Sequence, residues 1–272
     1  LDSWTLIPTG SLSSSESSAK LTERNILGFG HLISGNIKNR FDTNERAVYA
    51  QYSINNIKNT YIRLDLDYAN DYNNDSKRSI NINRPFYSVI TKNAGGAFFE
   101  NRLRTEQFPV LDTISLQNVS YDFQEYWYGR AFKINPKSNP ERYFNNMVLA
   151  LTYNQKVFGQ MPEAVLDPTS YFSNEKNWIG MIGFSKQKFY QDKFVFNYNI
   201  TEDIPYGENI ALIVGHQEKN SNSRLYTGLS VSFGRKYSFG YASGFAEWGS
   251  FYDAGLTEQT TFKLGLNYFS PL

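Results

Sequence analysis

The 272-residue sequence predicts an all-β protein, an antiparallel transmembrane β-barrel, on three observations. Apolar residues recur with a period of two, turn-forming clusters recur about every twenty residues, and aromatic side chains crowd a polar chain. Tyr 20, Phe 21 and Trp 4 make up 17% of the residues, yet mean hydropathy is only −0.50. A soluble protein would need an exceptionally aromatic core to use them. A membrane barrel instead places them in girdles at both interfaces and keeps its lumen polar.

The strands follow in chain order. Val48, Ala50, Tyr52 and Ile54 alternate with Tyr49, Gln51 and Ser53. Over residues 61–69, Ile62, Leu64, Leu66 and Tyr68 take one face and Arg63, Asp65 and Asp67 the other, whereas a helix would scatter those charges all round. The same alternation runs through Phe194, Phe196, Tyr198 and Ile200, through Leu225, Thr227, Leu229, Val231 and Phe233, and through Phe262, Leu264, Leu266 and Tyr268. These read as amphipathic strands of about nine to eleven residues. Turn-formers separate them at 36–44, 55–59, 70–75, 135–140, 174–177, 205–207 and 219–223. At about 20 residues per strand and turn, the length holds about twelve to fourteen strands. Aromatic clusters at Phe86-Tyr87, Phe98-Phe99, Tyr126-Trp127-Tyr128, Tyr171-Phe172 and Tyr268-Phe269 mark expected strand ends. No interdomain linker and no long helix is visible, so residues 1–272 read as a single barrel domain. A soluble β-sandwich alternates in the same way, and strand length and aromatic placement favour the barrel over it.

Several function classes are disfavoured. Lys+Arg 27 against Asp+Glu 26 gives no general attraction to nucleic acid. The absence of cysteine removes disulfides, thiolate metal sites and cysteine nucleophiles. The longest aliphatic runs, 147–151 and 210–214, are far too short for a spanning helix. The chain starts at Leu1 without a basic n-region or an apolar h-region, so a removed leader or an excised piece of a longer protein is expected.

Two passages carry a resemblance. Residues 23–31, Glu-Arg-Asn-Ile-Leu-Gly-Phe-Gly-His, with Asn25, Leu27, Gly28 and Gly30, resemble a strand near the start of the barrel in the BamA/TamA-type outer-membrane assembly family, the bacterial surface antigens. Residues 83–96, with Arg84, Pro85, Phe86, Tyr87 and Gly96, are similar to that family's passage from a descending strand through a periplasmic turn to an ascending one. Order and spacing of the two also fit. Glycines 28 and 30 would let backbones approach where the strand bends, and Pro85 would end a ladder. Residues 201–207 sit where such barrels have a short turn.

The resemblance implies an outer-membrane barrel in a Gram-negative bacterium that inserts or translocates other outer-membrane proteins. Its partners would be outer-membrane lipids, unfolded β-barrel clients or translocated polypeptide, and accessory lipoproteins, with no nucleic acid and no cofactor. A weakly paired seam would receive the client strand, with the strand within residues 4–15 as one side of the gate. The family's Arg-Gly-aromatic loop tripeptide is missing, and residues 1–20 are too short for an upstream POTRA repeat. The expectation is therefore an N-terminal portion of a barrel, truncated at its C-terminus. The other open reading is a passive porin-like channel or surface binding barrel with no assembly role.

No enzyme site is expected. His31 and His216, the two histidines, read as strand-end or loop residues. Serines are too plentiful to nominate a nucleophile. Arg63, Asp65 and Asp67 are expected to line a solvated lumen wall rather than a protease site, and no metal site is expected.

Overall fold

The computed structural model describes residues 5–88, 90–110, 113–134, 144–193 and 201–270. Fourteen strands form one antiparallel sheet whose order is the chain order. They are β1 (Leu6–Leu12), β2 (Glu16–Glu23), β3 (His31–Arg40), β4 (Arg46–Ile54), β5 (Arg63–Asn70), β6 (Ser76–Arg84), β7 (Asn93–Val110), β8 (Thr113–Lys133), β9 (Phe144–Gln160), β10 (Glu175–Lys193), β11 (Thr201–Lys219), β12 (Asn222–Tyr237), β13 (Gly240–Asp253) and β14 (Leu256–Phe269). Among the described residues the helical pieces are single 3-10 turns, Ile26–Gly28, Ile57–Asn59 and Tyr72–Asn74.

The chain divides into two compact units. Leu1–Tyr87, Gly95–Tyr126 and Asn154–Lys176 form one, and Ser88–Ala94, Trp127–Tyr153 and Asn177–Leu272 the other.

In the first unit the register sorts side chains by polarity. Ile33, Tyr52, Leu66, Ile80 and Phe99 stand at one level across β3 to β7. The neighbouring level reads Thr22, Ser34, Gln51, Asp67, Ser79 and Glu100 across β2 to β7, polar throughout. Because the side-chain period of a strand is two, these adjacent levels point to opposite faces. The second unit repeats the arrangement, with Leu212, Leu229, Trp248 and Phe262 at one level of β11 to β14 and Ile210, Val231, Ala246 and Leu264 at another on the same face.

Exposure is inverted relative to a soluble protein. On the apolar face Ile210 is 47% exposed and Leu264 62%. Among the described residues the buried hydrophobic ones are Ala47, Tyr72, Ala94, Val119 and Ile204, while Asp65 at 7%, Ser79 at 5% and Gln217 at 8% lie sheltered. The polar face of the second unit is kept thin by glycine under aromatic rings. A Cβ on Gly249 would lie 2.3 Å from the Tyr226 hydroxyl, and one on Gly265 2.2 Å from the Phe245 ring.

The strand count agrees with the sequence reading, but several boundaries move. Strands β1 to β6 have 7 to 10 residues, whereas β8 has 21 and β14 14, longer than expected. Residues 36–40 belong to β3 and residues 205–207 to β11, so neither is a turn. Local turn propensity at 36–40 gives way to pairing with β2 and β4. Phe98-Phe99 and Tyr126-Trp127-Tyr128 lie inside β7 and β8, because those strands continue past the aromatic level. Tyr268-Phe269 does end β14, where Tyr268 donates to the Phe239 carbonyl at 2.5 Å. Residues 135–140 and the strand read at 194–200 lie outside the described residues.

Candidate functional site

The sheltered polar face of the first unit is the richest assembly of chemistry-bearing side chains. Asp65 is its centre: Oδ1 accepts from Ser53 Oγ at 2.7 Å, and Arg63 Nε lies 2.9 and 2.7 Å from its two oxygens. Ser53 stands directly opposite Asp65 on β4, so the ladder itself delivers the donor. Arg63 is two residues away on the same face, at the start of β5. Asp67 accepts from Ser79 at 3.3 Å. Arg63, Asp65 and Asp67, expected from the sequence to lie on one wall, share that face of β5.

The wall continues with alternating charge. Glu100 takes Lys77 at 3.4 Å and the Tyr121 hydroxyl at 3.0 Å. Lys156 lies 5.2 Å above the Tyr121 ring and pairs with Glu175 at 3.5 Å. At the far edge Glu16 receives the Tyr72 hydroxyl at 3.2 Å, and Arg40 covers the Tyr72 ring at 4.1 Å. Burial, followed by the Glu16 carboxylate, holds the Tyr72 phenol above its ordinary range. A face of paired charges and hydroxyls suits water and ions.

The family-motif residues gather at one edge of this unit, where β2 and β4 end, β3 and β5 begin, and β6 ends. Residues 23–31 do not form the strand expected of them. Asn25 starts the 3-10 turn Ile26–Gly28, and its Oδ1 accepts from Gly30 N at 2.7 Å. Gly28 and Gly30 adopt φ of 79° and 68°. A Cβ on Gly30 would meet nothing within 4 Å, so the requirement is left-handed backbone rather than close approach. Leu27 lies within the turn backbone. Glu23, 4% exposed, is buried at this edge, where its Oε1 accepts from Thr5 N and Asn25 N at 2.9 Å each.

Arg84 closes β6, and Pro85 follows where no ladder donor is needed, as the sequence led one to expect. Arg84 Nε donates to the Thr60 carbonyl at 3.1 Å, and its guanidinium sits 5.2 Å from the Tyr87 ring. Tyr87 stacks on Tyr61 with centroids 3.8 Å apart. Phe86 is half-buried beside them, and Gly96 pairs with Asn83 on the return strand. Sequence reasoning missed Tyr61, which has φ 60°, and Glu23. The asparagine-rich run at 55–59 was the available signal for the first.

In the second unit His216 Nε2 lies 3.2 Å from Ser223 Oγ and 3.7 Å from Glu218. Both partners approach the same nitrogen, whereas a serine triad needs the carboxylate on the other one. His31 begins β3 and hydrogen-bonds the Tyr52 hydroxyl at 2.8 Å. Among the described residues no group of three or more His, Asp or Glu side chains is placed to hold a metal.

No protein-family model, no curated protein and no solved structure matches this chain.

Proposed function

We propose that this chain is a bacterial outer-membrane β-barrel of the BamA/TamA type, serving the insertion or translocation of other β-rich proteins. The observation that carries the membrane reading is the inversion of exposure: apolar levels are exposed while hydroxyls, the Gln217 amide and the Asp65 carboxylate are sheltered. Water would penalise that surface at about 25 cal/mol for every Å² left exposed, and hydrocarbon would not. Closure of the sheet belongs to this proposal, since it would bring the end strands β1 and β14 together as a seam.

The motif residues Arg84, Pro85 and Tyr87, at the end of β6 and in the segment that follows it, support the assembly role through their resemblance. Strand length adds to it. A strand of 7 residues such as β1 reaches about 23 Å, short of what a tilted strand needs to cross a full bilayer, so the β1 side would thin the membrane locally. An incoming client strand would then pair with the exposed β1 edge by main-chain hydrogen bonds. A photo-crosslinker at Thr9 of β1 tests this. Capture of an unfolded barrel client in vesicles is the expected result, and no capture in a preparation that still inserts clients contradicts the role. The charge-lined polar face favours the porin-like alternative, which predicts steady ion conductance and no client crosslink.

A further inference from the structure

The two edges of the first unit carry opposite charge. At the motif edge the connecting segments 24–30, 55–62 and 84–88 contain Arg24, Lys58 and Arg84 and no carboxylate. At the other edge the turns 41–45 and 71–75 contain Asp42, Glu45, Asp71 and Asp75, and of the flanking cations Arg40 and Arg46, Arg40 is paired with Glu45 at 3.3 Å, which leaves carboxylates in excess. The one acidic residue bordering the basic edge, Glu23, is buried against backbone donors.

Aromatics accompany the cations. Tyr61 and Tyr87 are stacked and exposed, Phe29 is 70% exposed, and Arg84 braces the stack through Thr60. The turn that presents Lys58 and Tyr61 holds both at left-handed φ, 46° and 60°, an unfavourable conformation for these residues. Exposed tyrosine and phenylalanine beside lysine and arginine is the chemistry of a headgroup layer. The rings settle at the ester level while the cations reach the phosphates.

We infer that this edge, through Arg24, Lys58 and the Tyr61–Tyr87 stack, binds anionic phospholipid headgroups, and that this charge asymmetry orients the unit across the bilayer. The inference rests on the membrane reading above. It adds a lipid class and a binding edge to that reading, and it places the acidic edge toward the opposite leaflet.

The test uses the chain's lack of cysteine. Asn55→Cys at the basic edge and, separately, Ser14→Cys at the acidic edge carry a fluorophore after refolding into vesicles of phosphatidylcholine with one-third phosphatidylglycerol. Either lipid is supplied brominated high on its acyl chains. The Asn55→Cys label should be quenched several-fold more effectively by phosphatidylglycerol than its share of the lipid predicts, and the Ser14→Cys label should show no preference. Arg24→Gln and Lys58→Gln should each cut the preference roughly fivefold, and Arg24→Lys and Lys58→Arg should restore it. Equal quenching by the two lipids at Asn55→Cys, or a preference that survives the glutamine variants, overturns the inference alone. Quenching by neither lipid overturns the membrane reading and the inference with it.

Discussion

Asp65 and Asp67 sit on the same face two residues apart, yet they carry different burdens. Asp65 is buried and accepts from both Ser53 and Arg63, whereas Asp67 has one longer bond, to Ser79. A hydrogen bond to a charged group contributes about 1.5–3 kcal/mol in net terms, and because the Arg63 guanidinium is half-exposed its share is screened to little, so Asp65→Ala should cost about 2 kcal/mol in a urea titration of the folded protein. Asp67→Ala should cost under about 1 kcal/mol, and equal losses would show that burial of Asp65 adds nothing. Gly249 gives a second residue-scale test, because a methyl there would strike the Tyr226 hydroxyl. Gly249→Ala should lose about 1–3 kcal/mol, with part recovered by adding Tyr226→Phe. The polar wall was legible from alternation alone, since Arg63, Asp65 and Asp67 are fixed to one face by period two. Gly28 and Gly30 were legible as special but not in kind: strand bends and left-handed turns both select glycine, and only backbone geometry separates them.

At the scale of elements, the register level of Val231 tests which medium each face meets. Val231→Arg puts a guanidinium on the apolar face between Ile210 and Ala246, and should cost about 2–4 kcal/mol of folding free energy in vesicles if that level lies near the membrane midplane. Ser230→Arg, one position away on the polar face, should cost well under half of that. A soluble sheet would show no such contrast, because Val231 is already exposed. Strand existence was readable where one face is continuously apolar, as in β4, β5, β12 and β14. It was not readable in the middle of β8, where Asn118, Ser120, Asp122 and Gln124 occupy the face that is apolar at Ile114, Leu116, Tyr126 and Tyr128, so the apolar set passes to Val119, Tyr121 and Phe123 on the other face while the strand continues. Asn101 and Thr105 bond Asp122 and Asn118 there, which keeps the two long strands joined by polar pairs. The segment 205–207 misled for a different reason. Pro205 and Gly207 are turn-formers by propensity, yet the β11 ladder with β12 begins at Gly207, and Pro205 precedes it, where that ladder asks for no donor.

For the whole molecule, the separation of apolar from polar levels across β3 to β6 and across β11 to β14 is the property from which the membrane assignment, the assembly role and the lipid-binding edge descend. The absence of cysteine makes every introduced thiol unique, so the separation can be read residue by residue in the second unit. The most direct measurement is a nitroxide scan of residues 229 to 233 along β12 in vesicles, comparing collision with oxygen, which concentrates in hydrocarbon, against a water-soluble nickel chelate. The account predicts strict alternation, with Leu229, Val231 and Phe233 reached by oxygen and Ser230 and Ser232 by the chelate. Equal access of the chelate to all five positions would contradict it, since both faces of the sheet would then be in water.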